Sequence, residues 1–149
     1  MNTFTQFFVI AGISAAAAGG TWLVKKPSEK VALTCDASQI SDEEICLADV
    51  PDTALWIDAR SRAEWKKNGL KGSILWNMDP SEDANRFEAE AAAAILNADF
   101  VIVYCGSKAC GTSKEIAKRI RLLNLGPKVK SLYGGWEAIK DSSAVLQNR

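Results

Sequence analysis

Short apolar runs alternate with amphipathic stretches along most of this chain. Ala54-Leu55-Trp56-Ile57-Asp58, Gly72-Ser73-Ile74-Leu75-Trp76, Phe100-Val101-Ile102-Val103-Tyr104 and Val129-Lys130-Ser131-Leu132 have the length and composition of strands. Between them lie helical patterns. Ser61-Arg62-Ala63-Glu64 is a capping box that opens a short helix ending at Lys67-Asn68-Gly69, and the alanine-rich segment from Ala84 to Leu96 is a good helix former. Thr112 and Glu115 form another capping box, followed by one apolar stripe of Ile116, Ala117, Ile120 and Leu123, with Gly126-Pro127 as its stop. Gly134-Gly135-Trp136 leads into a last short helix. Upstream, Val31-Ala32-Leu33 reads as a small first strand. Ser41-Asp42-Glu43-Glu44 is also a capping box, with Ile40 and Ile45 as its hydrophobic staple, and predicts a helix running to about Ala48. Strands and helices alternating without hairpin turns indicate an α/β domain with a mainly parallel sheet.

The first residues break this pattern. Thr3 to Val24 contains no charged side chain, and about 21 residues at ~1.5 Å each span roughly 30 Å, the thickness of a bilayer core. The segment predicts a single transmembrane helix. A cleaved signal peptide is the alternative, since the alanine run offers a small-residue cleavage site, although Met1 to Gln6 lacks the usual Lys or Arg. Positive charge begins at Lys25, Lys26 and Lys30, so the positive-inside tendency assigns the following domain to the cytoplasm, or outside the cell membrane if the segment is a cleaved signal. The organisation expected is an anchor over 1–26, a linker over 27–30, an α/β domain over 31–142 and a tail over 143–149.

Composition removes several chemistries. The 149 residues carry 18 Lys plus Arg against 18 Asp plus Glu, with the basic residues scattered, which argues against nucleic acid as a partner. There is no histidine, which eliminates Ser-His-Asp and Cys-His hydrolysis and most zinc sites. No metal and no organic cofactor is expected. The four cysteines, at 35, 46, 105 and 110, form no Cys-x-x-Cys pair. Reduced thiols are the expectation, with Cys35 and Cys46 as small apolar filler, although an even count leaves disulfides open.

The stretch with chemistry is Cys105-Gly106-Ser107-Lys108-Ala109-Cys110-Gly111, between the strand ending at Tyr104 and the helix opening near Thr112. A thiol at a strand-to-helix junction lies beyond the carboxyl end of a parallel sheet, where such folds bind ligands. Small residues after it let backbone N–H groups curl toward the sulfur, with the helix N-terminus behind them. This arrangement favours a thiolate or persulfide at Cys105. Lys108 adds a cation able to attract an anionic donor. A cysteine phosphatase would need an arginine six positions after the cysteine, and Gly111 stands there.

Trp56-Ile57-Asp58-Ala59-Arg60, Glu64-Trp65, Gly69-Leu70-Lys71-Gly72-Ser73-Ile74, Val103-Tyr104-Cys105 and Leu132-Tyr133-Gly134-Gly135-Trp136, in that order and spacing, resemble the rhodanese domain. The resemblance covers roughly Val31 to Lys140. It implies a five-stranded parallel sheet flanked by helices, and a sulfurtransferase in which Cys105 takes a sulfane sulfur from a small donor and passes it to a thiol or cyanide-like acceptor. The implied anion-binding loop is Gly106, Ser107, Lys108, Ala109, Cys110 and Gly111. Arg60 either reaches this loop or pairs with Glu64. The chain departs from the family pattern at Asn68 to Ser73, where the usual histidine and proline are missing. It also departs at Cys110, where active members carry a basic residue, and in a loop that runs longer before the helix stripe begins. Cys110 either attacks a Cys105 persulfide, or forms a reversible disulfide with Cys105, or only fills space beneath the loop. A catalytically silent module that binds a protein partner at the membrane is the competing reading.

Overall fold

The computed structural model describes residues 35, 36, 38, 40–140 and 142. Five strands form one all-parallel sheet: β1 (Glu44–Ile45), β2 (Leu55–Asp58), β3 (Ile74–Leu75), β4 (Phe100–Tyr104) and β5 (Lys128–Leu132), in the order β1-β5-β4-β2-β3. Four helices complete the domain: α1 (Arg62–Asn68), α2 (Ala84–Leu96), α3 (Thr112–Leu122) and α4 (Gly135–Lys140). The α/β architecture with a five-stranded parallel sheet is the one expected.

Because side chains alternate along a strand, β4 divides its residues between the two faces of the sheet. Val101, Val103 and then Cys105 pack in a core with Phe87, Ala91 and Ile95 of α2 and Ile116, Ala117 and Ile120 of α3. Ile102 and Tyr104 point the other way, into a second core with Leu132, Ile139 and Trp136. The period of two therefore delivers the sulfur of Cys105 to the α3 side of the sheet and the Tyr104 ring to the α4 side.

Local signals explain most boundaries. Ser61 caps α1 with the expected reciprocal bonds, its hydroxyl accepting from the Glu64 N–H and its own N–H donating to the Glu64 carboxylate. Asp83 caps α2 by accepting from the N–H groups of Asn85 and Arg86. Beyond α3 the chain turns through Asn124 at φ 52° and Gly126 at φ 107°, which ends the helix as Gly126-Pro127 predicts.

Three expectations are corrected. The stretch from Ser41 to Ala48 is not a helix: Ser41 and Glu44 do hydrogen-bond, but only within a turn, and the chain then extends as β1 before a 3₁₀ turn at Leu47–Asp49. Pairing Glu44 and Ile45 with Ser131 and Leu132 of β5 adds sheet hydrogen bonds, and Lys114 of α3 holds the Glu44 carboxylate at 3.0 Å, so tertiary pairing overrides the local cap. The same stretch carries the second correction, since Cys46 is joined to Cys35 in a disulfide with Cα atoms 5.7 Å apart. Neither cysteine is reduced filler. Thirdly, Gly111 rather than Thr112 is the N-cap of α3, and no side chain caps it.

Three of the four basic residues of α3 make ion pairs. Lys114 meets Glu44, Arg119 meets Glu88 of α2, and Arg121 meets Glu43 while donating to the Val129 carbonyl. Among the described residues no helix is long and apolar enough to cross a membrane. The anchor, the linker, the Val31-Ala32-Leu33 strand and the 143–149 tail lie outside the described residues.

Candidate active site

The carboxyl end of β4 carries two arrangements on its two faces. On the α4 face Asp58, fully buried, takes the Arg60 side chain in a fork, from Nη2 at 2.7 Å and from Nε at 3.0 Å. The Tyr104 hydroxyl donates to the same carboxylate at 2.6 Å and itself accepts from the Leu70 N–H. Burial and the Asp58 carboxylate push the Tyr104 phenol up to about 12. The Arg60 guanidinium also donates to Asn68 at 3.0 Å and lies 4.0 Å above the Trp136 ring. Arg60 thus joins the ends of β2, α1 and α4, with its donors directed at Asp58 and Asn68. None of its hydrogen bonds goes to Glu64 or to the cysteine loop.

On the α3 face Cys105 is 2% exposed. Its thiol faces the carbonyl oxygens of Cys110 at 3.2 Å and Ser107 at 3.5 Å, together with the Cys110 sulfur. The one side-chain donor to it is the Ser113 hydroxyl at 3.3 Å, which is in turn 2.8 Å from the Ser131 hydroxyl on β5. Burial pushes the Cys105 thiol up, Cys110 adds to this, and hydrogen bonds from Ser113 only partly oppose it.

Cys110 has the opposite balance. Burial alone would raise its thiol, but donation from the Cys105 thiol, from the Thr112 hydroxyl and N–H, and from the Gly106 N–H outweighs burial, and the net direction is down. The turn closed by the Cys110 N–H on the Ser107 carbonyl at 3.1 Å folds Cys110 back toward the start of the loop.

The other loop residues are scaffold. The Gly111 carbonyl accepts from the N–H groups of Lys114 and Glu115, starting α3. Ala109 is exposed, and the Lys108 ammonium lies 4.6 Å from the centre of the Tyr133 ring, tying the outer side of the loop to the end of β5.

Two residues that carry the site escape sequence reasoning. Ser113 lies three residues before Ile116 and four before Ala117, so the buried stripe of α3 extends back to it and marks it as a buried polar group. Gly135 has φ 55°, and a Cβ built on it would lie 2.3 Å from the Cys105 carbonyl oxygen. Its lack of a side chain lets the Trp136 N–H donate to that carbonyl at 2.6 Å, pinning the backbone of Cys105. A cavity of about 290 Å³ opens elsewhere, beyond β3 between Trp76, Met78 and Glu82 and the Glu115 and Arg119 side of α3.

The model of the Rhodanese-like domain matches residues 47–142, the span that contains both arrangements. The chain belongs to the rhodanese-like domain family. No curated protein matches it. Among solved structures, one titled "Crystal structure of N-terminal domain of putative ATP/GTP binding protein from Clostridium difficile 630" is similar at 17% identity and a TM-score of 0.45, covering 66% of this chain and 97% of the other. A rhodanese-like domain is a module of the sulfurtransferase or sulfur-binding type. In this one Asp58, Arg60 and Tyr104 form a buried hydrogen-bonded network on one face of β4, and the two free thiols lie on the other.

Proposed function

We propose that this rhodanese-like domain is a sulfurtransferase that carries a sulfane sulfur as a persulfide on Cys105. The observation that supports it most directly is the setting of that sulfur at the end of β4, within hydrogen-bonding distance of Ser113 and backed by the start of α3. Ser113 stabilises negative charge on sulfur, which a thiolate and a persulfide both need, and its link to Ser131 keeps the hydroxyl oriented. The donor is a small sulfane or persulfide compound, and the acceptor a thiol or cyanide-like nucleophile. The residue five positions after Cys105 is not basic, so the loop lacks a cation there to hold the thiosulfate dianion, and a neutral persulfide donor suits it better. Treating the full chain with thiosulfate or inorganic polysulfide and weighing it intact tests this. Gain of sulfur that disappears in Cys105→Ser is expected, and no gain with any donor removes the reading.

A second reading, a catalytically silent module that binds a partner, draws on the same site. A cysteine only 2% exposed, its thiol raised by burial and turned toward two carbonyls, is not primed for attack. The same mass measurement decides between the two.

We further propose, from the sequence alone, that residues 1–26 are a membrane anchor, with a cleaved signal segment as the alternative. Lys25, Lys26 and Lys30 favour the cytoplasmic side, whereas a Cys35–Cys46 disulfide favours an oxidising compartment, as follows from export after signal cleavage. A reporter fused to the C-terminus distinguishes them: activity of a cytoplasm-dependent reporter supports the first, and activity of an export-dependent one the second.

A further inference from the structure

The proposed persulfide explains Cys105 but leaves the second thiol of the loop without a task. Cys110 is half-buried, packs against the same core as Cys105, and its carbonyl oxygen lies 3.2 Å from the Cys105 sulfur, so the loop folds one free thiol back onto the other. We propose that Cys110 is a resolving thiol that attacks a persulfide on Cys105, closes a Cys105–Cys110 disulfide across the loop and releases the carried sulfur as hydrosulfide. The inference rests on the persulfide reading of Cys105 and extends it to a persulfide reductase activity.

The step balances. Cys105–S–SH and the Cys110 thiolate give Cys105–S–S–Cys110 and HS⁻. The bond between the Cys105 sulfur and the outer sulfur breaks as the bond between the two cysteine sulfurs forms. The outer sulfur leaves with the electron pair and is reduced to the sulfide level, and the Cys110 sulfur is oxidised from thiol to disulfide level. An external dithiol then restores both thiols by exchange and becomes a disulfide itself.

The two ends of the loop are suited to opposite roles in this step. The Cys110 thiol is lowered despite its partial burial, which favours its thiolate, the form that attacks. Burial and the facing carbonyls make the Cys105 thiolate the poorer leaving group, so cleavage expels hydrosulfide rather than Cys105. Gly106 and Gly111 have open space where a Cβ would be, which leaves the loop room to draw the sulfurs together.

The test loads the full chain with inorganic polysulfide, desalts it, blocks remaining thiols and digests it with trypsin. Cleavage after Lys108 separates the two cysteines, so the disulfide appears as a linked peptide pair in the wild type with no variant needed. Expected is that pair together with hydrosulfide released after desalting. Cys110→Ser should instead hold a persulfide at Cys105. A short loop keeps a thiol at an effective concentration of millimolar order, so against ~0.1 mM external thiol the persulfide of Cys110→Ser outlives that of the wild type by at least about tenfold. A wild-type persulfide that lasts as long as that of Cys110→Ser, with no linked pair, overturns the resolving role and leaves sulfur carriage standing. Absence of sulfur gain in both chains removes sulfur carriage and this inference with it.

Discussion

Replacing Gly135 by alanine should strike the site and the fold together, because one missing Cβ lets α4 approach the backbone of Cys105. The new carbon would lie 2.3 Å from the Cys105 carbonyl oxygen and 3.3 Å from the Ser107 nitrogen, both of them backbone atoms that no rotamer change can clear. The residue also sits at φ 55°, where an L side chain costs about 1–2 kcal/mol. Relieving the overlap displaces main chain by about 1 Å, at a cost of about 1–3 kcal/mol, and stretches the hydrogen bond from the Trp136 N–H to the same carbonyl. The combined loss is about 2–5 kcal/mol, a large share of a typical domain stability of ~5–15 kcal/mol. With a urea slope of ~1.5 kcal/mol/M, a 3 kcal/mol loss lowers the unfolding midpoint by about 2 M. Gly106→Ala is the control, since nothing lies within 4 Å of its Cβ position, and it should stay within about 0.5 kcal/mol of the wild type. A Gly135→Ala midpoint equal to the wild type, or a Gly106→Ala midpoint that falls as far, would refute the close-approach argument.

Other expectations follow from the same geometry. Asp58→Asn removes the acceptor of Arg60 and Tyr104 and leaves a guanidinium buried beside a neutral amide, so it should cost about 3–5 kcal/mol in denaturant unfolding. The Tyr104 phenol has its pKa raised from 10.0 to about 12 in the folded state, so its contribution is fully present below pH 10 and is lost as pH rises through about 12. Stability of the wild type relative to Tyr104→Phe should therefore fall across that window by up to about 3 kcal/mol, and a flat difference would count against it. Cys110, lowered, should be alkylated at a lower pH than Cys105, raised, when each is followed by peptide mapping; the reverse order contradicts the hydrogen-bond assignment of the two sulfurs. Reduction of the Cys35–Cys46 bridge, which closes a separation of 11 residues, should lower stability by about 2–3 kcal/mol when measured in a chain with Cys105 and Cys110 both replaced by serine.

Sequence by itself determined the elements whose signals are local and strong. The Phe100–Tyr104 run, the alanine-rich α2, the Ser61 capping box and the parallel α/β class are set by side-chain period, helix propensity and chain direction, and they need no distant partner. That Cys105 stands at a strand end facing a helix N-terminus was legible for the same reason. Tertiary structure alone decided where local signals met a stronger distant one. Ser41 to Glu44 carries the letters of a helix cap, yet β5 offers backbone hydrogen bonds to Glu44 and Ile45 and Cys35 offers a covalent bond to Cys46, and these outweigh a cap of about 1 kcal/mol. Arg60 could be placed near the loop from its strand end, but only packing shows its donors taken by Asp58 and Asn68 and its plane resting on Trp136. The partners of the two thiols are the clearest case. Ser113, Ser131 and the Gly135 turn come from three separate elements, and hydrogen bonds act over about 3 Å regardless of sequence separation, so no spacing rule reveals which sulfur they serve.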